Sequence, residues 1–318
     1  MSDWPIELQA PDLEGLRQGN TGIEHVWSWT AEEAGPHLVL NALMHGNELS
    51  GAIALVRLME AGIRPQRGRI TMAFANVEAF RRFDPAEPFA SRFVEEDMNR
   101  VWSEAQLRGA GGSLELRRAR ELLPVFTRAD LLLDLHSMQT PSPALTLSGR
   151  RVKGMRLAAA IGCPALVVAD DGHANGTRLI DHGPFADTDS AQAAVLVETG
   201  QHWAAGAAEV ALETALRFLL AGGVVGAAEA RALMPHHEAA AQQFVEVTHA
   251  VTARSTRFAF VRRFTGMEVI PEAGTLLATD DGSELRTPYE NCVLVMPTLS
   301  AKPGLTAVRL GRFVPPPG

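Results

Sequence analysis

The sequence predicts an α/β fold, in which a mostly parallel or mixed sheet has helices on both faces and a small all-β domain follows. Predicted strands and helices alternate through the first 225 residues, which is typical of α/β proteins. These strands are near-continuous apolar runs, as expected for strands buried on both faces. After about residue 225 the pattern changes to short strands separated by Gly, Pro and Asp turns. We therefore predict two domains, residues 1–225 and 226–318.

The elements follow from hydrophobic periodicity and from stop signals. HLVLNALM (37–44) is the first predicted strand, and LSGAIALVRLMEAG (49–62) has apolar residues at helical spacing up to Gly62. A polar loop is predicted at 171–190. The other predicted elements of the first domain are strands at 69–77, 129–138, 164–170 and 191–200, and helices at 113–126, 151–162 and 204–222. In the second domain, strands are predicted in FVEVTHAVTAR, RFAFVRRF, GTLLATDD and NCVLVMPT, with no helix between them.

Composition excludes several classes of partner. The 318 residues carry a net charge of −8 and show no basic stripe, so no nucleic-acid partner is predicted. The longest apolar stretch, FLLAGGVVGAA, is too short to span a bilayer, and the acidic N-terminus has no apolar signal-peptide core. We expect a cytoplasmic protein with no membrane partner, compatible with a homo-oligomer. Its two cysteines have no metal-binding spacing and are expected to be reduced core residues.

Metal-capable side chains follow three of the predicted strands. His45 and Glu48 lie in NALMHGNELSG just past the first strand, His136 ends ADLLLDLH, and Glu198 ends AAVLVE. In an open parallel sheet the carboxyl ends of the strands share one edge, where ligands bind. Two imidazoles and a carboxylate suit zinc, with a fourth position left for water. Asp134, two residues before His136, is a candidate acceptor for the histidine's second nitrogen.

Other interpretations of these residues remain open from the sequence alone. His136 could hydrogen-bond to backbone at a strand end, and Glu198 could pair with an arginine at the rim. The connection after the second strand contains Arg92, Asn99 and Arg100, which could form a salt-bridge cluster with the neighbouring acids Glu95, Glu96 and Asp97. The adjacent pair His236 and His237 lies in a polar stretch and is expected to be solvated surface.

Four motifs occur in an order that resembles the succinylglutamate desuccinylase/aspartoacylase family of the zinc carboxypeptidase-like group. They are HGNELSG, SRFVEEDMNRVW, DLLLDLHSM and AVLVETGQH, and TPYENCVLVMP is similar to a motif of the family's C-terminal β domain. The resemblance covers most of the chain and implies one zinc ion held by His45, Glu48 and His136. It also implies a C-terminal β domain that closes over the active-site cleft.

The resemblance implies further roles in the same cleft. Arg92 would polarise the scissile carbonyl, Glu198 would be the general base, and Asn99 with Arg100 would hold a substrate carboxylate. The only tyrosine, Tyr289, would reach the substrate from the C-terminal domain; the alternative is a packed aromatic side chain.

The sequence also departs from this family. Aspartate-specific members carry an arginine shortly before the catalytic glutamate, whereas here no Lys or Arg occurs between Leu179 and Val197, and Arg178 is the nearest. The acyl group and the amine therefore stay open. The predicted function is a zinc-dependent deacylase that cleaves an amide bond of a small N-acyl amino acid or similar carboxylate. The alternatives are a metallocarboxypeptidase acting on peptides and a non-catalytic binding module on the same fold. A serine hydrolase is disfavoured because no GxSxG occurs.

Overall fold

The computed structural model describes residues 4–172, 175–234 and 241–318. Its strands are β1 (Val26–Thr30), β2 (Glu33–Ala42), β3 (Arg67–Phe74), β4 (Leu131–Met138), β5 (Leu145–Leu147), β6 (Leu166–Ala169), β7 (Ala193–Gln201), β8 (Gln243–Thr252), β9 (Ala259–Phe260), β10 (Glu268–Ile270), β11 (Leu276–Asp280), β12 (Ser283–Arg286), β13 (Cys292–Val295) and β14 (Thr306–Val314). Its helices are α1 (Leu49–Glu60), α2 (Val77–Phe80), α3 (Glu104–Arg108), α4 (Leu114–Phe126), α5 (Val152–Ile161), α6 (Ala205–Ala221) and α7 (Ala227–Leu233).

One large mixed sheet organises these elements. Its eleven strands have the order β1-β3-β2-β4-β7-β5-β6-β8-β14-β13-β10. Strand β2 is parallel to both β3 and β4, and β4 is parallel to β7, whereas β5 runs antiparallel to β7. The predicted mostly parallel or mixed sheet is therefore confirmed, and the carboxyl ends of β2, β4 and β7 lie side by side.

Helices cover both faces of this sheet, as predicted. Along β2, Leu38 and Leu40 belong to one apolar cluster, together with side chains of α1, α5 and α6. Val39, which points to the other face, belongs to a second cluster that contains side chains of α4. Burial on both faces explains why these strands are near-continuous apolar runs.

A small antiparallel β region forms the C-terminal part of the chain, as predicted. Strands β8, β14, β13 and β10 continue the large sheet, because β8 pairs with β6, and β9, β11 and β12 form a small second sheet. This region has its own apolar cluster, which includes Phe264, Leu277 and Leu310. The domain boundary at 225/226 and the closure over the cleft stay predictions.

Eight of these strands and helices were not predicted: β1, β5, β10, β12, β14, α2, α3 and α7. Helix α7 lies inside the segment expected to be all β, where its sequence AAEARAL is rich in strong helix formers. Strands β1 and β5 are an antiparallel edge strand and a three-residue strand, both too short for periodicity to reveal. No helix in the described parts of the chain is long and apolar enough to cross a membrane. His236 and His237 lie outside the described residues.

Candidate active site

The turn between β2 and α1 carries His45 and Glu48. His45 Nδ1 lies 2.8 Å from Glu48 Oε1, and both side chains are buried. Gly46 between them allows another segment to approach, because an added Cβ would lie 2.5 Å from Ser91 O. The Gly46 N–H donates to Arg92 O at 3.1 Å. The glycine of HGNE therefore lets the segment that carries Arg92 pack directly against the turn.

His136 at the end of β4 reaches the same carboxylate. Its Nδ1 lies 2.9 Å from Glu48 Oε2, so both imidazoles face the two oxygens of one glutamate. Ligand atoms of His45, Glu48 and His136 all lie within 4.8 Å of one another. Two imidazole nitrogens and a carboxylate oxygen in a buried cluster suit zinc, which accepts this donor set in catalytic sites.

The second nitrogen of each histidine is bonded to its own carboxylate. His45 Nε2 lies 2.8 Å from Asp97 Oδ1 and 2.9 Å from Arg92 Nη2, and His136 Nε2 lies 2.9 Å from Asp134 Oδ2. If each Nε2–H donates to its carboxylate, both Nδ1 lone pairs face Glu48 and are available to a metal ion. In this tautomer Nδ1 is the ligand atom in both histidines.

Asp134 was predicted to accept from His136, but Asp97 was not assigned to the site. From the sequence, Asp97 was expected only in a salt-bridge cluster with Arg92. It does form this salt bridge, because Arg92 Nη2 donates to Asp97 Oδ2 at 3.1 Å. Burial alone would raise the pKa of Asp97, but His45 and Arg92 hold it well below its usual value. The sequence feature that could have indicated a role for Asp97 in the site is its position in the DMNR motif, two residues before Asn99.

Arg92 borders the same cluster on its solvent side. Besides its bond to Asp97, its Nη1 lies 3.4 Å from Glu48 Oε1, and about a quarter of its side chain is exposed. The guanidinium therefore lies beside the candidate metal ligands and can contact a bound molecule from the open side.

Glu198 on β7 is the strand partner of His136 on β4. Its side chain is buried, and its Oε2 has no hydrogen-bond partner within the described ranges. Burial raises the pKa of Glu198 to about 8, with further contributions from the negative charges of Glu48 and Asp134, against the opposing effect of His136 and Arg92. A carboxyl group with a pKa near neutrality can both accept and donate a proton.

A buried glutamate that the sequence analysis missed holds the connection carrying Arg92 and Asn99. Glu115 on α4 accepts hydrogen bonds from the backbone N–H groups of Val94, Glu95 and Glu96 at 2.6, 3.2 and 3.3 Å. Asn76 Nδ2 also donates to it at 3.2 Å. Because three successive amides converge on one carboxylate, the loop has a defined path where no regular element supports it.

Asn99 and Arg100 lie next to each other at the far end of that connection. Asn99 Oδ1 accepts from the Leu179 N–H at 3.0 Å, so its amide nitrogen is the group left to face an external acceptor. Arg100 Nη1 donates to Asn99 O at 2.7 Å. No carboxylate of the described residues lies within ion-pair distance of Arg100, although Asp97 attracts it at longer range.

Ser137 and His202 form a buried pair beside the cluster. His202 Nδ1 lies 2.8 Å from Ser137 Oγ, while the Ser137 N–H donates to Glu48 Oε2 at 3.3 Å. Burial lowers the pKa of His202 to about 3, so its ring is neutral at physiological pH. No role was predicted for His202, because a lone histidine after a strand has no distinguishing spacing.

Tyr289 belongs to the C-terminal β region and makes its contacts there. Its hydroxyl lies 2.6 Å from Thr248 Oγ1, and its ring packs against the apolar cluster of that region. The structure therefore brings together His45, Glu48, His136, Arg92 and Glu198, with Asn99 and Arg100 adjoining through Asp97. The contacts of Tyr289 within the described ranges do not include these residues, and its role over the cleft stays a prediction.

Comparison with known proteins defines the class. The model of the succinylglutamate desuccinylase/aspartoacylase catalytic domain matches residues 34–220, so the chain belongs to this family and the predicted resemblance is confirmed. Succinylglutamate desuccinylase of Pseudomonas aeruginosa (strain PAO1) is 34% identical over 115 residues, 34% of this chain and 32% of that protein. That of Ectopseudomonas mendocina is 34% identical over 96 residues. The match thus spans about a third of the curated relatives' length.

Solved structures extend the likeness of the fold to nearly the whole chain. Succinylglutamate desuccinylase from Vibrio parahaemolyticus aligns with a TM-score of 0.66 at 17% identity, covering 92% of this chain and 87% of that one. The product-bound ectoine utilization protein EutE (DoeB) from Ruegeria pomeroyi aligns with a TM-score of 0.57 at 18% identity, covering 90% and 87%. At these identities the likeness concerns the fold alone.

Proposed function

We propose that this protein is a zinc-dependent deacylase, a hydrolase that cleaves an amide bond of a small N-acyl amino acid or similar carboxylate. The observation that carries the proposal is the arrangement of His45 and His136, whose Nδ1 atoms face the two oxygens of Glu48 while separate carboxylates hold their Nε2 atoms. Family membership supports it, since the two activities that name the family are both removals of an acyl group from an amine.

One zinc ion per chain would be held by His45, Glu48 and His136, whose donor set fits it. When bound there, zinc supplies Lewis acidity to a carbonyl oxygen and lowers the pKa of water. The half-buried carboxylate of Asp97 and the buried carboxylate of Asp134 keep the two imidazoles in the ligand tautomer. Their negative charge also increases the basicity of the histidine ligands.

The remaining side chains divide the reaction between them. Glu198 takes a proton from the attacking water and returns it to the leaving amine, for which a pKa near neutrality is suited. Arg92 stabilises the negative charge that develops on the carbonyl oxygen. Arg100 and the Asn99 amide orient the substrate carboxylate, and the planar guanidinium can bind it through two hydrogen bonds.

Three further parts of the proposal rest on the sequence and the family. Tyr289 donates to the bound substrate, and residues 226–318 form a domain that closes over the cleft. The protein acts in the cytoplasm on a small dissolved carboxylate, without a nucleic-acid or membrane partner.

Metal analysis combined with a substrate panel tests this function. The purified protein should contain about one zinc ion per chain. His45→Ala and His136→Ala should lose the ion, because each variant keeps only two of the three protein ligands. His249→Ala, which removes an exposed histidine outside the cluster, is the matched control and should retain zinc. The zinc-loaded protein should release amino acid from N-acyl amino acids faster than from short peptides. Full zinc occupancy in both alanine variants would refute the ligand assignment.

A further inference from the structure

Four arginines surround the region between Glu198 and the proposed carboxylate site, and their partners differ. Arg178, the nearest cation before Glu198 in the sequence, is only 1% exposed. Its Nη2 and Nη1 bind the two oxygens of Asp170 at 2.8 and 3.1 Å, and its Nε binds Asp181 Oδ2 at 2.6 Å. Two carboxylates therefore neutralise this guanidinium, and its donors face protein rather than substrate.

Arg309 approaches the same aspartate from β14. Its Nε lies 3.2 Å from Asp170 Oδ2, and its Nη2 donates to Gly172 O at 3.4 Å. The side chain is buried, and it lies close enough to Glu198 for their charges to interact. Arg309 thus brings a cation toward the site, but the charge is already paired with the aspartate that also binds Arg178.

The two arginines of the long connection complete the set. Arg92 is paired with Asp97 and adjoins Glu48, as described above. Arg100 alone among the four has no carboxylate within ion-pair distance in residues 4–172, 175–234 and 241–318, and its one hydrogen bond is to a backbone carbonyl. A single cation is therefore left to receive a carboxylate from outside the protein.

An apolar surface lies on the same connection as Arg92. Phe89 and Phe93 are each 39% exposed, although large apolar side chains are usually buried. The Phe89 ring packs edge-on against Trp203, with a centroid distance of 5.0 Å, and lies 6.4 Å from the His202 ring. The Arg92 N–H donates to Phe89 O at 3.3 Å. Exposed aromatic side chains beside a catalytic arginine favour contact with an uncharged group.

From these pairings we propose that the substrate carries one carboxylate only: an N-acyl amino acid whose side chain and acyl group are both uncharged. This inference rests on the proposed deacylase function and narrows its substrate class. Arg100 accepts the single carboxylate. A second carboxylate could come from an aspartate side chain or a succinyl group. It would have no cationic partner, because Asp170, Asp181 and Asp97 already pair with the other three arginines.

Isosteric substrate pairs test the inference directly. N-acetylasparagine is compared with N-acetylaspartate, N-acetylglutamine with N-acetylglutamate, and N-succinamoyl with N-succinyl derivatives of one amino acid. Each pair differs by an amide in place of a carboxylate. We expect kcat/KM to be larger for the neutral member by about tenfold or more, because a buried unpaired charge is strongly disfavoured.

Calorimetric binding of the free amino acids gives a readout that does not depend on turnover. The zinc-loaded protein should bind asparagine and glutamine more tightly than aspartate and glutamate. Arg100→Gln should abolish this binding. Arg312→Gln, which removes an exposed arginine paired with Glu246, should leave it unchanged.

The outcomes separate this inference from the proposed function. Equal or better cleavage or binding of the acidic members overturns the inference, while cleavage itself would still support the deacylase. Selective binding of neutral amino acids without cleavage of any amide supports the inference and contradicts the deacylase. Binding of neither class, with no cleavage, overturns both.

Discussion

The parallel strands β2, β4 and β7 and the C-terminal β region contain different kinds of buried polar residues. At the carboxyl ends of β2, β4 and β7, charged side chains are buried next to one another: Glu48, Asp134, His136 and Glu198. Among residues 241–318, which include β8 to β14, the buried polar side chains are Thr287 and Arg309. Burying charge is costly unless the group is paired or binds a metal. That cost is concentrated in the first region, the carboxyl ends of β2, β4 and β7, where the catalytic groups are expected.

Arg309 connects the two regions. It extends from β14 to Asp170, which follows β6, and so links the antiparallel strands to the polar centre. The C-terminal region therefore supports the site through one ion pair and through the sheet, while the groups proposed to react belong to β2, β4, β7 and the long connection. Substitutions in the first region should change the reaction rate, and those in the second should mainly change stability.

The largest effect is expected from Glu198→Gln. The substitution keeps the shape of the side chain but removes the proton acceptor, so kcat should fall by about 10²-fold or more, the usual range for a general acid/base group. Zinc content and the thermal unfolding midpoint should stay close to those of the unchanged protein. Steady-state kinetics together with metal analysis measure both.

Two results would contradict the assignment of Glu198. Loss of zinc in Glu198→Gln would make it a ligand instead of a base, and near-normal kcat would remove it from the mechanism. Glu213→Gln on α6 is a matched control, because Glu213 is also a buried glutamate but pairs with Arg217 at 2.8 Å away from the cluster.

A second prediction separates the two arginines of the long connection. Arg92→Lys should lower kcat by about 10²-fold with little change in KM, because a contact to the developing oxyanion acts in the transition state. Arg100→Lys should mainly raise KM, since a point charge replaces a planar guanidinium that can bind a carboxylate through two bonds. A raised KM in Arg92→Lys together with a lowered kcat in Arg100→Lys would mean that the two roles are exchanged.

The metal ligands could be predicted from sequence because each follows a long apolar strand, and strand ends in such a sheet share one edge. Asp97 and Glu115 could not be predicted in the same way. Asp97 lies on an irregular connection that has no period, and Glu115 is a helix residue whose partners are backbone amides about twenty positions earlier in the chain. Likewise, the pairing of Arg178 with Asp170 and Asp181 depends on the path of a loop. No sequence spacing reports that path.

A third, smaller effect is expected from Glu115→Gln. An amide keeps one acceptor oxygen but turns an NH₂ group toward the N–H groups of residues 94–96, so the connection should lose part of its support. We expect kcat/KM to fall by about tenfold, while zinc is retained. Glu121→Gln, on the same helix but exposed and paired with Arg118, is the matched control. Equal kinetics for the two variants would show that the hydrogen bonds from the backbone amides of residues 94–96 to Glu115 do not position Arg92 and Asn99.

The smallest effect concerns Tyr289, the one residue of the C-terminal region proposed to contact the substrate. Its hydroxyl is bonded to Thr248 Oγ1 at 2.6 Å, so Tyr289→Phe and Thr248→Val both remove this hydrogen bond, and Thr248→Val also removes the bond from Thr248 Oγ1 to Leu310 O at 3.1 Å. Tyr289→Phe should lower the free energy of unfolding by about 1 kcal/mol, and Thr248→Val should lower it further. If the tyrosine hydroxyl instead turns its hydrogen from Thr248 Oγ1 to the substrate, only Tyr289→Phe should lower kcat/KM, by at least about 1 kcal/mol in transition-state stabilisation. Denaturant unfolding and steady-state kinetics of both variants therefore distinguish the two roles. A loss of stability with unchanged kcat/KM in both variants would make Tyr289 a packing residue, and every reacting group would then lie in the first region.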